Sequence, residues 1–186
     1  MSDNIEQILS AVASLSEEER EELFGVLARE WALPVPTQKA MSLTFETEEL
    51  DGEPDYVIVF DGGSQGNPGP GYGSYGLMRL CDGKEKLVRL DFGRDMTNNE
   101  AEYEALIAAL KGLIERVEQA DRSPQDFSVE IRGDSKLVLN QVSGTWKAKD
   151  DRMRALRNRV RSLLSRFEAH RLVHQDREES VRVLGH

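Results

Sequence analysis

At 186 residues the chain has room for one domain of ordinary size plus a small appendage, and no apolar run approaches the roughly 20 residues that cross a bilayer. Cys81 is the single cysteine, which excludes an internal disulfide and makes the cytoplasm the expected compartment; the start Met1-Ser2-Asp3-Asn4 does not read as a secretory signal, and His170, His174 and His186 lack finger spacing for structural zinc. The net charge of −10 argues against a nucleic-acid partner if it is spread evenly along the chain.

Ile5, Ile8, Leu9, Val12 and Leu15 recur at helical spacing. Ser16-Glu17-Glu18-Glu19 then reads as a capping box, and Leu23, Phe24, Leu27 and Trp31 share the next helical face. Residues 1–35 are therefore expected to form an acidic helical hairpin, stopped by Pro34 and Pro36, with a linker over 36–54 and the main domain over 55–186. Two short helices are marginal alone in water, so the hairpin should dock on its own domain, self-associate or bind a protein partner.

Tyr56-Val57-Ile58-Val59-Phe60 is a continuous apolar run, the pattern of a central strand buried on both faces, and it ends on Asp61. A glycine-rich loop over 62–73 is expected next. Strands near 73–80 and 85–92 follow, joined by a turn at Asp82-Gly83. Thr97-Asn98-Asn99-Glu100 repeats the capping-box pattern before a helix to about Glu118, marked by Leu106, Leu110, Leu113 and Val117. Phe127, Val129 and Ile131 alternate into a strand that delivers Asp134. Helices over 136–142 and 151–167 and a strand near 171–175 complete the series. In the second of these helices Met153, Leu156, Val160, Leu163, Leu164 and Phe167 form the apolar stripe, with six arginines elsewhere. The order βββαβαα followed by a short strand predicts an α/β fold with a mixed sheet.

The charge is not evenly spread. Residues 1–54 hold 13 acidic and 3 basic side chains, residues 55–186 hold 21 of each, and 132–182 hold 13 basic against 7 acidic. The last third is basic enough to meet phosphates, whereas the N-terminal segment would repel a polyanion.

Asp61 and Asp134 end two strands and Glu102 lies early in the first long helix of the domain. If those strands are neighbours, three carboxylates converge and would repel unless a cation sat among them. Mg²⁺ suits such a donor set, and two ions can activate water and neutralise a leaving 3′ oxygen in an in-line displacement.

Three motifs in order carry a resemblance: Phe60-Asp61-Gly62-Gly63-Ser64 with Gly66-Asn67-Pro68-Gly69, then Thr97-Asn98-Asn99-Glu100-Ala101-Glu102, then Gly133-Asp134-Ser135. Over about 56–183 the chain resembles type 1 ribonuclease H, and Val142-Ser143-Gly144-Thr145-Trp146-Lys147-Ala148-Lys149 looks like the archaeal and actinobacterial branch that lacks a basic protrusion. The resemblance implies a five-stranded mixed sheet flanked by helices and metal-dependent cleavage of the RNA strand of RNA–DNA hybrids. It implies that Asp61, Glu102 and Asp134 are the catalytic metal ligands, for two Mg²⁺ ions or for Mn²⁺. It also implies substrate contacts: Gly62 and Gly63 at the ribose, Asn98 and Asn99 in the minor groove, Asn67 and Thr97 at a phosphate of the DNA strand, and Lys136, Trp146 and Lys147 along the hybrid. Plainer roles stand beside these. Thr97 and Asn98 would cap a helix, Asn67-Pro68-Gly69 would make a turn, and Trp146 would belong to a core.

One departure bears on activity. The family carries a fourth Asp near the C-terminus, and here Leu184 stands at that position, expected on a helix turn facing the cluster, with Ser180 where the family has Asn. Asp176, Glu178 and Glu179 are alternative ligands if the register differs, although each also reads as solvated surface charge. A second reading is accordingly a hybrid- or duplex-binding module with weakened catalysis, and a third is a regulatory protein working through its acidic hairpin.

Overall fold

The computed structural model describes residues 50 and 52–185; the expected hairpin and almost all of the linker lie outside the described residues. The domain runs β1 (Tyr56–Ser64), β2 (Gly69–Arg79), β3 (Lys84–Met96), α1 (Asn98–Gln119), a 3₁₀ turn (Pro124–Asp126), β4 (Ser128–Gly133), α2 (Lys136–Ser143), α3 (Asp151–Leu164), β5 (Ala169–His174) and α4 (Arg177–Leu184). Its five strands form one mixed sheet in the order β3-β2-β1-β4-β5. The β1–β2 and β2–β3 pairs are antiparallel, and β1–β4 and β4–β5 are parallel.

Central β1 is buried on both faces, as its unbroken apolar run requires. Ile58 and Phe60 join the main core with Tyr103, Leu106, Leu110, Leu113 and Val117 of α1. Val57 and Val59, alternating to the other face, pack with Leu184 of α4. Asp55 ties the start of β1 to that of β4, accepting hydrogen bonds at Oδ2 from Ser128 N and Oγ, both at 2.8 Å.

One expectation needs correction. The stretch 62–73 is mostly strand, because β1 continues to Ser64 and β2 begins at Gly69, leaving only 65–68 as a connecting loop. Glycines there sustain pairing, with Gly62 opposite Gly73 and Ser64 opposite Gly71. The element series also continues past β5 into a last helix, α4, which carries Leu184 on a helix turn as expected there; its buried stripe is only Ser180 and Leu184, too short to show a period in the sequence.

Candidate functional site

The register of the sheet places the acids. Val59 pairs with Arg132 across the parallel β1–β4 ladder, so Asp61 and Asp134, two residues further on, sit level at adjacent strand ends. Glu102 comes from the second turn of α1, whose start is fixed by a complete capping box: Thr97 Oγ1 accepts from Glu100 N at 3.3 Å, and Glu100 Oε2 accepts from Thr97 N at 2.8 Å. Asp61, Glu102 and Asp134 each offer a carboxylate oxygen, and these oxygens lie within 4.8 Å of one another.

The crowding has an electrostatic signature. Burial pushes the Glu102 carboxyl up to about 7, and the neighbouring charges of Asp134 and Asp61 push the same way, while a hydrogen bond from Ser135 Oγ and the Arg177 guanidinium oppose it. Burial and the Asp61 charge likewise raise Asp134, against Arg177 and His174. Three half-buried carboxylates packed this closely form a hard-oxygen donor set whose mutual repulsion a divalent cation relieves, so the residues present fit Mg²⁺ or Mn²⁺. Among the described residues this is the one group of three or more potential ligands with such geometry.

The surrounding residues fall into two groups. Ser64 N and Oγ both donate to Asn98 Oδ1 at 2.9 Å, and Asn98 N donates to Asn67 Oδ1 at 3.3 Å, so the 65–68 loop is pinned to the N-terminus of α1. Asn67, Thr97 and Asn98 therefore lie close together at the N-terminus of α1, with Asn99 next in the helix. Thr97 has its capping role as well, since Thr97 Oγ1 also donates to Glu100 Oε2. The glycines answer to internal packing: a Cβ on Gly62 would lie 2.4 Å from the Ala101 carbonyl, and one on Gly63 would lie 2.7 Å from the Tyr72 hydroxyl.

Beyond Asp134, the second group is Lys136 at the start of α2 with Trp146 and Lys147 just after it, all exposed. Trp146 is 48% exposed, which rules out the core role. Its backbone N donates to Asn140 O at 2.9 Å, holding the segment against α2. The basic face of α3 is less open than its charge count suggests. Arg152 pairs with Glu100 at 3.4 Å and Arg159 with Glu104 at 3.9 Å, and Arg166, two residues past the end of α3, pairs with Glu118 at 2.5 Å, all three acids lying on α1.

Leu184 does not face the carboxylates. It is fully buried against Val57 and Val59, a seven-residue run, roughly 10 Å along the helix axis, from Arg177, the α4 residue whose charge acts on Glu102 and Asp134. The helix docks by its apolar residue, and a leucine under the sheet gains more from burial than a carboxylate would. Asp176, Glu178 and Glu179 are exposed, Glu179 pairing with Arg182 at 2.5 Å. Sequence reasoning gave no role to Arg177, nor to Ser135, although the latter stands in the quoted Gly133-Asp134-Ser135 motif. The signal for Ser135 was its place as the N-cap of a helix directly after a carboxylate.

A family model described as reverse transcriptase-like matches residues 59–183. Ribonuclease HI of Halobacterium salinarum is 38% identical over 128 residues, which cover 66% of this chain and 57% of that protein, so the chain spans little more than half the length of this relative. The crystal structure of RNase H1 from the same archaeon aligns with a TM-score of 0.55 and 36% identity, over 69% of this chain and 90% of that one. LC11-RNase H1 in complex with an RNA/DNA hybrid aligns with a TM-score of 0.58 and 30% identity, again over 69% and 90%. With the sheet order, the converging carboxylates and these likenesses in agreement, the chain belongs to the type 1 ribonuclease H family.

Proposed function

We propose that the chain hydrolyses the RNA strand of RNA–DNA hybrids in a divalent-metal-dependent reaction, with Asp61, Glu102 and Asp134 as the ligands. The observation that carries this reading is the approach of their three carboxylate oxygens to within 4.8 Å at the ends of paired strands. Mg²⁺, or Mn²⁺, bound there supplies a nucleophilic water at neutral pH and charge neutralisation at the departing 3′ oxygen. The protein's own groups do the positioning. Ser135 Oγ and Arg177 favour the ionised form of Glu102, the form that ligates. The amides of Asn98 and Asn99 read the minor groove, and Asn67 with Thr97 holds a phosphate of the DNA strand. The backbone at Gly62 and Gly63 passes the ribose, where the 2′-OH separates RNA from DNA. Trp146 offers an exposed ring for stacking between the cations Lys136 and Lys147. The hybrid bound by LC11-RNase H1 supports this substrate.

The lone exposed Cys81 fits a reducing cytoplasm, and no helix among the described residues is long and apolar enough to cross a membrane.

One observation favours a second reading, a hybrid-binding module of low activity: α4 turns Leu184 into the core instead of presenting a fourth carboxylate. A single experiment separates the two. Labelled hybrid, duplex DNA and duplex RNA are incubated with the chain and Mg²⁺ or Mn²⁺, beside Asp61→Asn and Asp134→Asn. Cleavage confined to the hybrid and lost in both variants supports the enzyme. Tight hybrid binding without cleavage supports the module, and variants that cleave at the parent rate rule out this metal site.

A further inference from the structure

On the face of the sheet that carries Asp61, the antiparallel register sets Asp61 directly opposite Ser74 of β2, and Ser74 opposite Arg89 of β3. Directly opposed side chains share a face, so the three form one row running from the metal-ligating carboxylate towards the sheet edge. Arg89 is turned outwards, its Nη2 donating to Gly185 O at 3.1 Å just past the end of α4. Ser74, between the two, is 3% exposed. Its Oγ is the one buried side-chain polar atom among the described residues that has no hydrogen-bond partner.

A buried hydroxyl without a partner costs free energy, and a strand position in a packed sheet is better filled by an apolar or small residue. The cost makes sense if the hydroxyl acquires a partner when the site is loaded. Opposed Cβ atoms lie about 4.5–5.5 Å apart, which one hydroxyl–carboxylate hydrogen bond spans. Catalytic hydrogen bonds are commonly long in the unloaded state and tighten on loading.

We propose that Ser74 is a positioning residue for the metal site: its hydroxyl donates to the Asp61 carboxylate and fixes the orientation in which that carboxylate ligates. The inference rests on the reading of Asp61, Glu102 and Asp134 as metal ligands. Ser74 touches neither substrate nor metal. It acts through Asp61 in the way that groups behind metal ligands generally set ligand geometry, where their loss weakens metal affinity about 10–100-fold.

The test is a Mn²⁺ titration of the full chain, free Mn²⁺ being read by electron paramagnetic resonance, for the parent, Asp61→Asn, Ser74→Ala, Ser74→Cys and Ser74→Thr. Thermal melts in EDTA confirm folding, and the Cys variant keeps the volume of serine with a much weaker donor should the Ala variant fail to fold. The expected result is Mn²⁺ affinity about tenfold weaker for Ala and Cys and within about threefold of the parent for Thr. Hybrid cleavage at fixed Mn²⁺ should lose kcat while KM for the hybrid stays put. Parent-like Mn²⁺ affinity in a folded Ala or Cys variant overturns the proposal, as does equal weakening in Thr and Ala. If Asp61→Asn itself binds Mn²⁺ like the parent, the metal-site reading fails instead.

Discussion

Glu102→Gln exposes the electrostatic load of the site without changing its shape. In the fold the Glu102 carboxyl rises from 4.5 to about 7, chiefly through burial and secondarily through Asp134 and Asp61. A carboxyl that binds its proton more tightly in the native than in the unfolded state makes stability fall as pH rises. The loss begins near the unfolded value and is complete above the folded one, so the window is about pH 4.5 to 7. At about 1.36 kcal/mol per unit the shift corresponds to at most about 3 kcal/mol, and partial solvent access and coupling to two other acids bring a realistic figure to about 2 kcal/mol. Gln keeps an oxygen to accept from Ser135 Oγ and carries no charge. Urea denaturation in EDTA should therefore find the variant about 2 kcal/mol more stable than the parent at pH 8 and nearly equal at pH 4.5. Millimolar Mg²⁺ should close the gap at pH 8, because the cation stabilises the parent by mass action and the amide ligates poorly. A variant less stable than the parent at pH 8 in EDTA, or an advantage that ignores pH, would refute the reasoning.

Leu184→Asp should lower stability by about 3–5 kcal/mol and bring no gain in cleavage, since it places a carboxylate in the apolar cluster of Val57 and Val59; a stable variant with higher Mg²⁺-dependent activity would show that α4 sits in another register. Gly62→Ala should cost about 1–3 kcal/mol in thermal melts and at least about 100-fold in hybrid cleavage, because the new Cβ meets the backbone of Ala101 and Glu102 at 2.4–2.6 Å and must displace Glu102, one of the proposed ligands. Unchanged activity would mean that α1 yields without moving Glu102. Tyr103→Phe should destabilise by about 1–2 kcal/mol, as Tyr103 Oη donates to Gln141 Oε1 at 2.9 Å in the core and its loss strands that oxygen. A neutral urea curve would show that the amide finds another donor.

What the sequence determined by itself is what local patterns carry. The apolar run before Asp61 encodes burial on both faces of β1, Thr97 and Glu100 encode the start of α1, and Leu106, Leu110, Leu113 and Val117 encode the face it buries. Asp61 and Asp134 read as strand-end residues and Glu102 as an early helix residue, so their convergence was expected on the condition that the two strands are neighbours, which the β1–β4 pairing meets. What only the tertiary structure decided depends on pairing between distant segments. Arg152 and Arg159 of α3, and Arg166 just past its end, read as open charge until α1 lies beside them with Glu100, Glu104 and Glu118. That the Cβ space at Gly62 and Gly63 is filled by Ala101 and the ring of Tyr72 is likewise set by packing between separate elements. Leu184 stands at a ligand's position in linear order yet points into the core, since a helix with two buried residues takes its rotation from whichever of them gains most by burial. Ser74 stands 13 positions from Asp61 in the chain and becomes its neighbour only through the register of β1 on β2, which no period within either strand encodes.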